Sequence, residues 1–355
     1  MVIRRLIASG VAFGLLLAAA AIPVSAHHPK PPPNSYTATT LVTGPSPDAD
    51  LVNGWGIARS ATSPWWIADN GTDLSTVYTA DGTKLTPTPR VNIPGGATTG
   101  IVFNPNAMAG DFMSDTFIFA SEAGKITAWN NNLGINAEVG NGDFAGSAVF
   151  KGLAIGTADV GNGPQQYLYA TDFHNRRIDI FDKTFASQTW KGAFRDRHLP
   201  EGYAPFGIQV LNDMIFVTYA KTQRGSTDER AGLGLGVVDA FATNGKFLGR
   251  VATHGALDAP WGLAWAPANF GRFSGDLLVG NFGNGKLNAY RWDGHDWDSD
   301  GQLRWSNHKP IVIDGLWGIG FGGGAAANGA TNTLFFAAGP NGEAGGAFGT
   351  ITATP

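Results

Sequence analysis

Short apolar runs alternate with polar turns along nearly the whole chain. From residue 36 onward the strongest runs are six or seven residues long: WWIADN at 65–70, TFIFASE at 116–122, YLYATDF at 167–173, MIFVTYA at 214–220, LLVGNFG at 277–283 and LFFAAGP at 334–340. Five of them lead through a polar turn into a run that alternates apolar with polar: STVYTADG at 75–82, GKITAWN at 124–130, RRIDIFD at 176–182, GVVDAFATNG at 236–245 and GKLNAYRWDG at 285–294. Alternation at period two predicts half-buried strands, and the Asp-Gly and Asn-Gly ends predict tight turns. No stretch beyond residue 26 has helical periodicity.

A glycine phrase precedes each apolar run: NGWGIA at 53–58, TTGIVF at 98–103, FKGLAI at 150–155, APFGIQ at 204–209, APWGLA at 259–264 and GLWGIG at 315–320. Its glycines, Gly56, Gly100, Gly152, Gly207, Gly262 and Gly318, are spaced by 44, 52, 55, 55 and 56 residues. A period of that size with several strands per unit predicts a six-bladed β-propeller, an all-β fold of four-stranded antiparallel blades. In it the glycines mark innermost strands, where backbone approaches backbone. The aromatics before them (Trp55, Phe206, Trp261, Trp317) are expected to wedge between blades. Thr99 and Lys151 interrupt that ring, an asymmetry that can open a cleft. The last repeat lacks a fourth strand, and YTATTLV at 36–42 lacks a partner, so the N-terminal strand is expected to close the ring.

Composition sets the context. Arg4 and Arg5, an apolar stretch from Leu6 to Ile22 and the small-residue triplet Val24-Ser25-Ala26 predict a cleaved secretory signal over 1–26, with an uncleaved anchor as the alternative. His27 to Ser35 reads as a proline-rich linker; His27 and His28 behind a free amino terminus can chelate copper or nickel, or form a plain tail. The propeller then spans 36–355, and the protein is expected to be secreted, monomeric and without a membrane span in its mature form. There are 0 Cys, so an exported chain must rely on its core. Formal charge is −4, falling to −6 without Arg4 and Arg5, which argues against a nucleic-acid partner.

APWGLAW with LLVGNF, and YLYATDFHNRRIDIFD at 167–182, resemble NHL-type propeller repeats. With NGWGIA, APFGIQ, VTYAK, APWGLAWAP and DGLWGIGFGGG, the chain is similar to a family of uncharacterised exported bacterial propeller proteins, some bearing a carboxy-terminal sorting signal of the PEP-CTERM type. This chain ends at Ile351-Thr352-Ala353-Thr354-Pro355 without such a signal, so release is the expectation. The resemblance implies fold and export, and no established reaction.

Candidate chemistry lies where loops converge on the propeller axis. Ends of second strands supply Asp69 and Asn70, Glu122, Asp172 and His174, Tyr219 and Lys221, Asn281, and Asn341 with Glu343. Glu122, Asp172 and Asn281 are candidates for an axial calcium, by analogy with lactonase-type propellers. The same acids and amides can instead serve turns. His174 with Asp172 is a candidate general base, or else ATDFHNRRIDIFD is a salt-bridged hairpin with a turn histidine. The long loop 220–236 carries Asp228 and Glu229 and is a candidate lid. Asp296, Asp298 and Asp300 before Gly301 match the start of a calcium loop, yet Asn307 stands where the twelfth-position acid belongs, and an acidic hairpin explains them as well. Trp55, Trp261 and Trp317 can form a sugar-stacking floor if exposed. The leading expectation is a propeller that binds a glycan, peptide or small molecule on its axial top face. The alternatives are a metal-dependent hydrolase or lyase of the lactonase type, and a passive surface or matrix scaffold.

Overall fold

The computed structural model describes residues 32–141 and 148–354. The signal segment 1–26 and His27 and His28 lie outside the described residues. Among the described residues no helix is long and apolar enough to cross a bilayer.

Six antiparallel sheets form six blades. Their innermost strands are Gly54–Ala58, Thr98–Phe103, Phe150–Asp159, Tyr203–Leu211, Pro260–Trp265 and Leu316–Phe321. Five blades have four strands. The fourth blade differs: its long loop folds back as Glu229–Arg230 and pairs with Thr222 and Lys221. The last blade is closed by the first strand of the described chain, Tyr36–Gly44, in antiparallel register with Gly346–Ala353 from Tyr36↔Ala353 to Gly44↔Gly346. The partnerless strand 36–42 thus takes the outer place expected of it.

The six glycines form the closing contacts of the ring. A Cβ on Gly56 would lie 2.6 Å from the Thr99 carbonyl oxygen, one on Gly152 2.8 Å from that of Phe206, and one on Gly207 2.1 Å from that of Trp261. For Gly262 the partner is the Trp317 oxygen at 2.4 Å, and for Gly318 the Trp55 oxygen at 2.5 Å. Gly100 meets the Leu153 amide nitrogen at 2.3 Å. Each glycine therefore packs against the next blade's backbone at or beside its own phrase, and the last returns to the first.

On either side of this belt the strand pattern fills the interfaces. The residue after each glycine packs toward the preceding blade, as Leu153 and Ile319 do, and in four blades the next one, Ala58, Val102, Ala154 or Ala264, packs toward the following blade. The result is one apolar cluster at each of the six interfaces. Burial at about 25 cal/mol per Å² of apolar surface makes these interfaces the main source of stability.

Every innermost strand also slips register at or beside its glycine, for example between Phe150 and Gly152 and between Pro260 and Gly262. A bulge re-aims the side chain next to it. The aromatics expected to wedge between blades consequently meet one another on the axis instead.

Three outcomes test this account. Gly207→Ala should lose about 3 kcal/mol or more by chemical denaturation, because a methyl would press on the Trp261 carbonyl. Gly249→Ala, with nothing within 4 Å of its Cβ, should stay within about 0.5 kcal/mol of wild type. Deleting residues 36–44 should lower the melting temperature by more than about 10 °C, and an unchanged melting temperature would exclude the closing role of that strand.

Candidate functional site

The bulged residues from blades one, four, five and six build an aromatic plug across the axis. Trp55 stacks on Trp317 with ring centres 3.6 Å apart, and Phe282 stacks on the same ring at 4.0 Å. Trp261 and Phe206 meet Trp317 edge-on at 5.9 and 5.7 Å. All four bulged aromatics are buried. Trp55, Trp261 and Trp317 are therefore not an open sugar-stacking floor; their rings are spent on one another.

The third blade places Lys151 at the equivalent position. The interruption seen in the sequence is filled by an ammonium, and no cleft opens there. The Lys151 side chain is 2% exposed, and its Nζ lies 5.3 Å from the Trp55 ring centre and 5.8 Å from that of Phe173. Nζ donates to Glu122 Oε1 at 2.5 Å and pairs with Asp228 at 3.4 Å and Glu229 at 3.9 Å. Its carbonyl accepts the Trp261 indole N–H at 2.8 Å.

A hydrogen-bond chain runs from the plug to this ion pair. Trp317 Nε1 donates to Asn53 Oδ1 at 3.0 Å. Asn53 Nδ2 donates to Asn70 Oδ1 at 3.3 Å and to Glu343 Oε1 at 3.2 Å. Asn70 Nδ2 donates to Glu122 Oε2 at 3.0 Å. Glu343 reaches Asn53 from a left-handed backbone, φ 69°, a conformation unfavourable for a residue with a Cβ. Side chains from blades one, two, three, four and six thus meet at the top of the axis.

The electrostatics follow from four carboxylates sharing one ammonium. Burial pushes the Glu229 carboxyl up to about 7; Lys151 opposes the shift, and Glu343 and Asp228 add to it. Glu343 is raised by burial and by Glu122 and Asp228, against its Asn53 hydrogen bond and Lys151. Burial drives Lys151 down, but Glu122 and Glu229 outweigh it, so its pKa is raised and the ammonium persists.

Among the sequence candidates, Asn70, Glu122, Asp228, Glu229 and Glu343 converge here. The others do not. Tyr219 is buried between the third and fourth blades and cannot meet a ligand. Lys221 lies on the rim, donating to the Glu201 carbonyl at 2.7 Å. Asn341 is exposed, and its amide N–H donates to Asp314. Asn281 is buried within its own hairpin, bonding Ala256 and Asn284. Asp69 likewise accepts from the Thr76 amide.

The Asp172–His174 pairing does not form. Asp172 is fully buried and accepts from Val149 N, Asn175 N and Asn175 Nδ2, while His174 is exposed and lines an open surface depression with Arg176 and Arg224. Arg177 binds Asp179 through both its Nε and Nη2, so the hairpin is the salt-bridged one. The DWDSDG acids sit along the strand Trp297–Gln302 and its approach, where extended backbone spreads them. Asp300 is taken by Arg272 and Arg291. Among the described residues no three His, Cys, Asp or Glu side chains form a group suited to a metal ion. The axial carboxylates do not fit calcium as arranged, because the Lys151 ammonium already holds the cationic position.

Lys151 and Asn53 were not recognised from the sequence as functional. The signal for Lys151 was its place: a lysine before an axial glycine where four other repeats carry an aromatic.

No family model matches the chain. It is 31% identical to uncharacterized protein R648 of Acanthamoeba polyphaga mimivirus over 291 residues, 77% of this chain and 69% of that protein. It is 30% identical to uncharacterized protein L690 of the same virus over 300 residues, 77% of this chain and 74% of that protein. Similar solved structures include the apo soluble aldose sugar dehydrogenase of Escherichia coli, with TM-score 0.57 and 11% identity over 90% of this chain and 100% of that one. A streptogramin B lyase has TM-score 0.51 and 12% identity over 90% and 98%. The PQQ-bound aldose sugar dehydrogenase of Streptomyces coelicolor has TM-score 0.50 and 14% identity over 91% and 100%. At these identities the likeness is one of fold.

Lys151→Met should cost about 3–5 kcal/mol at pH 7 by leaving Glu122 and the buried Glu229 without their cation, and less at pH 5, where Glu229, raised to about 7 by burial, takes up a proton. Asp228→Asn, at an exposed partner, should cost under about 1 kcal/mol. Between 4.5, the ordinary glutamate value, and about 7, folded Glu229 keeps a proton that the unfolded chain releases. Rising pH in that window therefore favours unfolding, and Glu229→Gln should remove this part of the slope in denaturation curves taken from pH 4.5 to 7.5.

Proposed function

The chain belongs to the same family as the mimivirus proteins R648 and L690, and on that premise we propose that it is an exported binding propeller whose axial top face takes a small, neutral, polyhydroxylated ligand such as a sugar unit of a glycan. The observation that carries this reading is the convergence of Asn70, Glu122, Asp228 and Glu343 around Lys151 Nζ. Carboxylates and amides set side by side accept and donate to vicinal hydroxyls, and one ammonium adds a fixed donor. The network is held in place before a ligand arrives, which lowers the cost of binding.

Charge narrows the ligand class. Four acids against one base disfavour anions. The same excess opposes PQQ, a polycarboxylate, although a PQQ-bound dehydrogenase shares the fold. A sugar is what the aldose sugar dehydrogenases of this fold are named for; that likeness concerns fold, and the reading rests on the residues. The signal-like composition of Arg4 to Ala26 supports the export part of this reading.

The experiment is a calorimetric screen of neutral mono- and oligosaccharides on the purified chain, paired with its divalent-metal content. Micromolar to millimolar binding of a neutral sugar, weakened about tenfold or more by Glu122→Gln, is expected. A near-stoichiometric divalent ion that is lost with Glu122→Gln, together with lactone hydrolysis, would replace this reading with the metal-dependent hydrolase. Sugar affinity unmoved by Glu122→Gln would take the ligand away from the axis.

A further inference from the structure

The axis has a second end. Below the glycine belt the innermost strands open into a funnel of about 420 Å³ on the face opposite the ion pair. It is blind. Between it and the plug lies only a void of about 20 Å³, lined by Gly56, Gly100, Trp261 and Gly318, with room for water and little more.

The wall of the funnel repeats with the blades. The third residue after each axial glycine is Arg59, Phe103, Ile155, Val210, Trp265 or Phe321, and all six line the funnel. Each is half-buried, and around them the innermost strands turn their unpaired edges to the axis. Five blades therefore contribute an apolar side chain at this level, and the first contributes an arginine. Among the described residues Arg59 is the only charged side chain of the wall.

Among the described residues Arg59 has no counter-ion. Nε donates to the Phe321 carbonyl at 2.8 Å and Nη1 to the Ser60 carbonyl at 3.1 Å, while the guanidinium lies 5.5 Å over the Trp65 ring centre. Its Nη2 makes no hydrogen bond among the described residues, and no carboxylate pairs with the group. Burial alone pulls its pKa below the ordinary arginine value. A fixed, partly desolvated cation beside an apolar wall gains most from an anion that brings its own apolar body.

We propose that this funnel is a second binding site, which takes a small apolar monocarboxylate with its carboxylate on Arg59 and its hydrocarbon against Phe103, Ile155, Val210, Trp265 and Phe321. Its size lies within the range of about 300–1,000 Å³ usual for small-molecule sites. The site is independent of the top-face reading, because the plug separates the two.

The probes are sodium octanoate, octan-1-ol and octylamine, titrated into the full chain by calorimetry and by the fluorescence of its tryptophans, of which Trp65 and Trp265 line the funnel. Octanoate should bind one to one and more tightly than either of the other two. Arg59→Gln should weaken octanoate at least tenfold and leave octan-1-ol unchanged. Gln209→Glu, at an exposed position of the funnel wall, keeps the fold if Arg59→Gln does not, and should weaken octanoate selectively by placing a like charge near it. Octanoate binding no better than octylamine, or unmoved by both substitutions, would overturn the proposal. So would octanoate binding that disappears with Glu122→Gln, since that would place it on the top face.

Discussion

Everything in this molecule depends on how closely six backbones approach one axis. The contact of each glycine with the backbone of the next blade leaves no space for a methyl group. That distance sets the radius of the ring, and the radius sets how far the bulged residues protrude. A wider ring would leave Trp55, Phe206, Trp261 and Trp317 short of one another. The aromatic plug is thus a result of glycine packing at the positions beside it.

The plug in turn decides the chemistry above it. A lysine ammonium is stable at 2% exposure only if its charge is answered. Here Glu122 answers it directly, and the fourth-blade loop answers it again through Asp228 and Glu229. The extra pairing of Glu229–Arg230 with Lys221 and Thr222, at the end of the second strand of its blade, seats that loop against the Lys151 charge. The asymmetry of the repeats, a lysine where four others carry an aromatic, places the polar site over one sector of the aromatic plug.

Much of this was legible in the residues. Glycine spacing revealed the blades because steric exclusion at an axis admits one residue type. Strand 36–42 was recognisable as the closing strand because one repeat lacked a strand and one strand lacked a repeat. Asn70, Glu122, Asp228, Glu229 and Glu343 were named from strand ends and the long loop, and they do meet. Tyr219, Asp172 and Asn281 follow the same rule and do not, because a strand end can turn its side chain into the local turns, as Asp172 and Asn281 do, or into the interface between blades, as Tyr219 does, as readily as toward the axis. The aromatics were assigned to the wrong place because a bulge leaves no mark in a polar–apolar pattern. For the same reason Lys151 reads in the sequence as a gap in the aromatic ring and not as the cation at its centre.

The clasp between Tyr36–Gly44 and Gly346–Ala353 has a consequence for the order of assembly. Its two strands are separated by almost the whole described chain, so the final blade is completed only when these two distant segments meet. Closing a loop of that length adds only logarithmically to the entropy cost, but it makes the contact late. Until then the outer edge of Gly346–Ala353 stays unpaired and able to join a strand of a neighbouring molecule. An unclosed ring therefore offers the edge of Gly346–Ala353 to two competitors, its own strand Tyr36–Gly44 and the same strand of a second molecule.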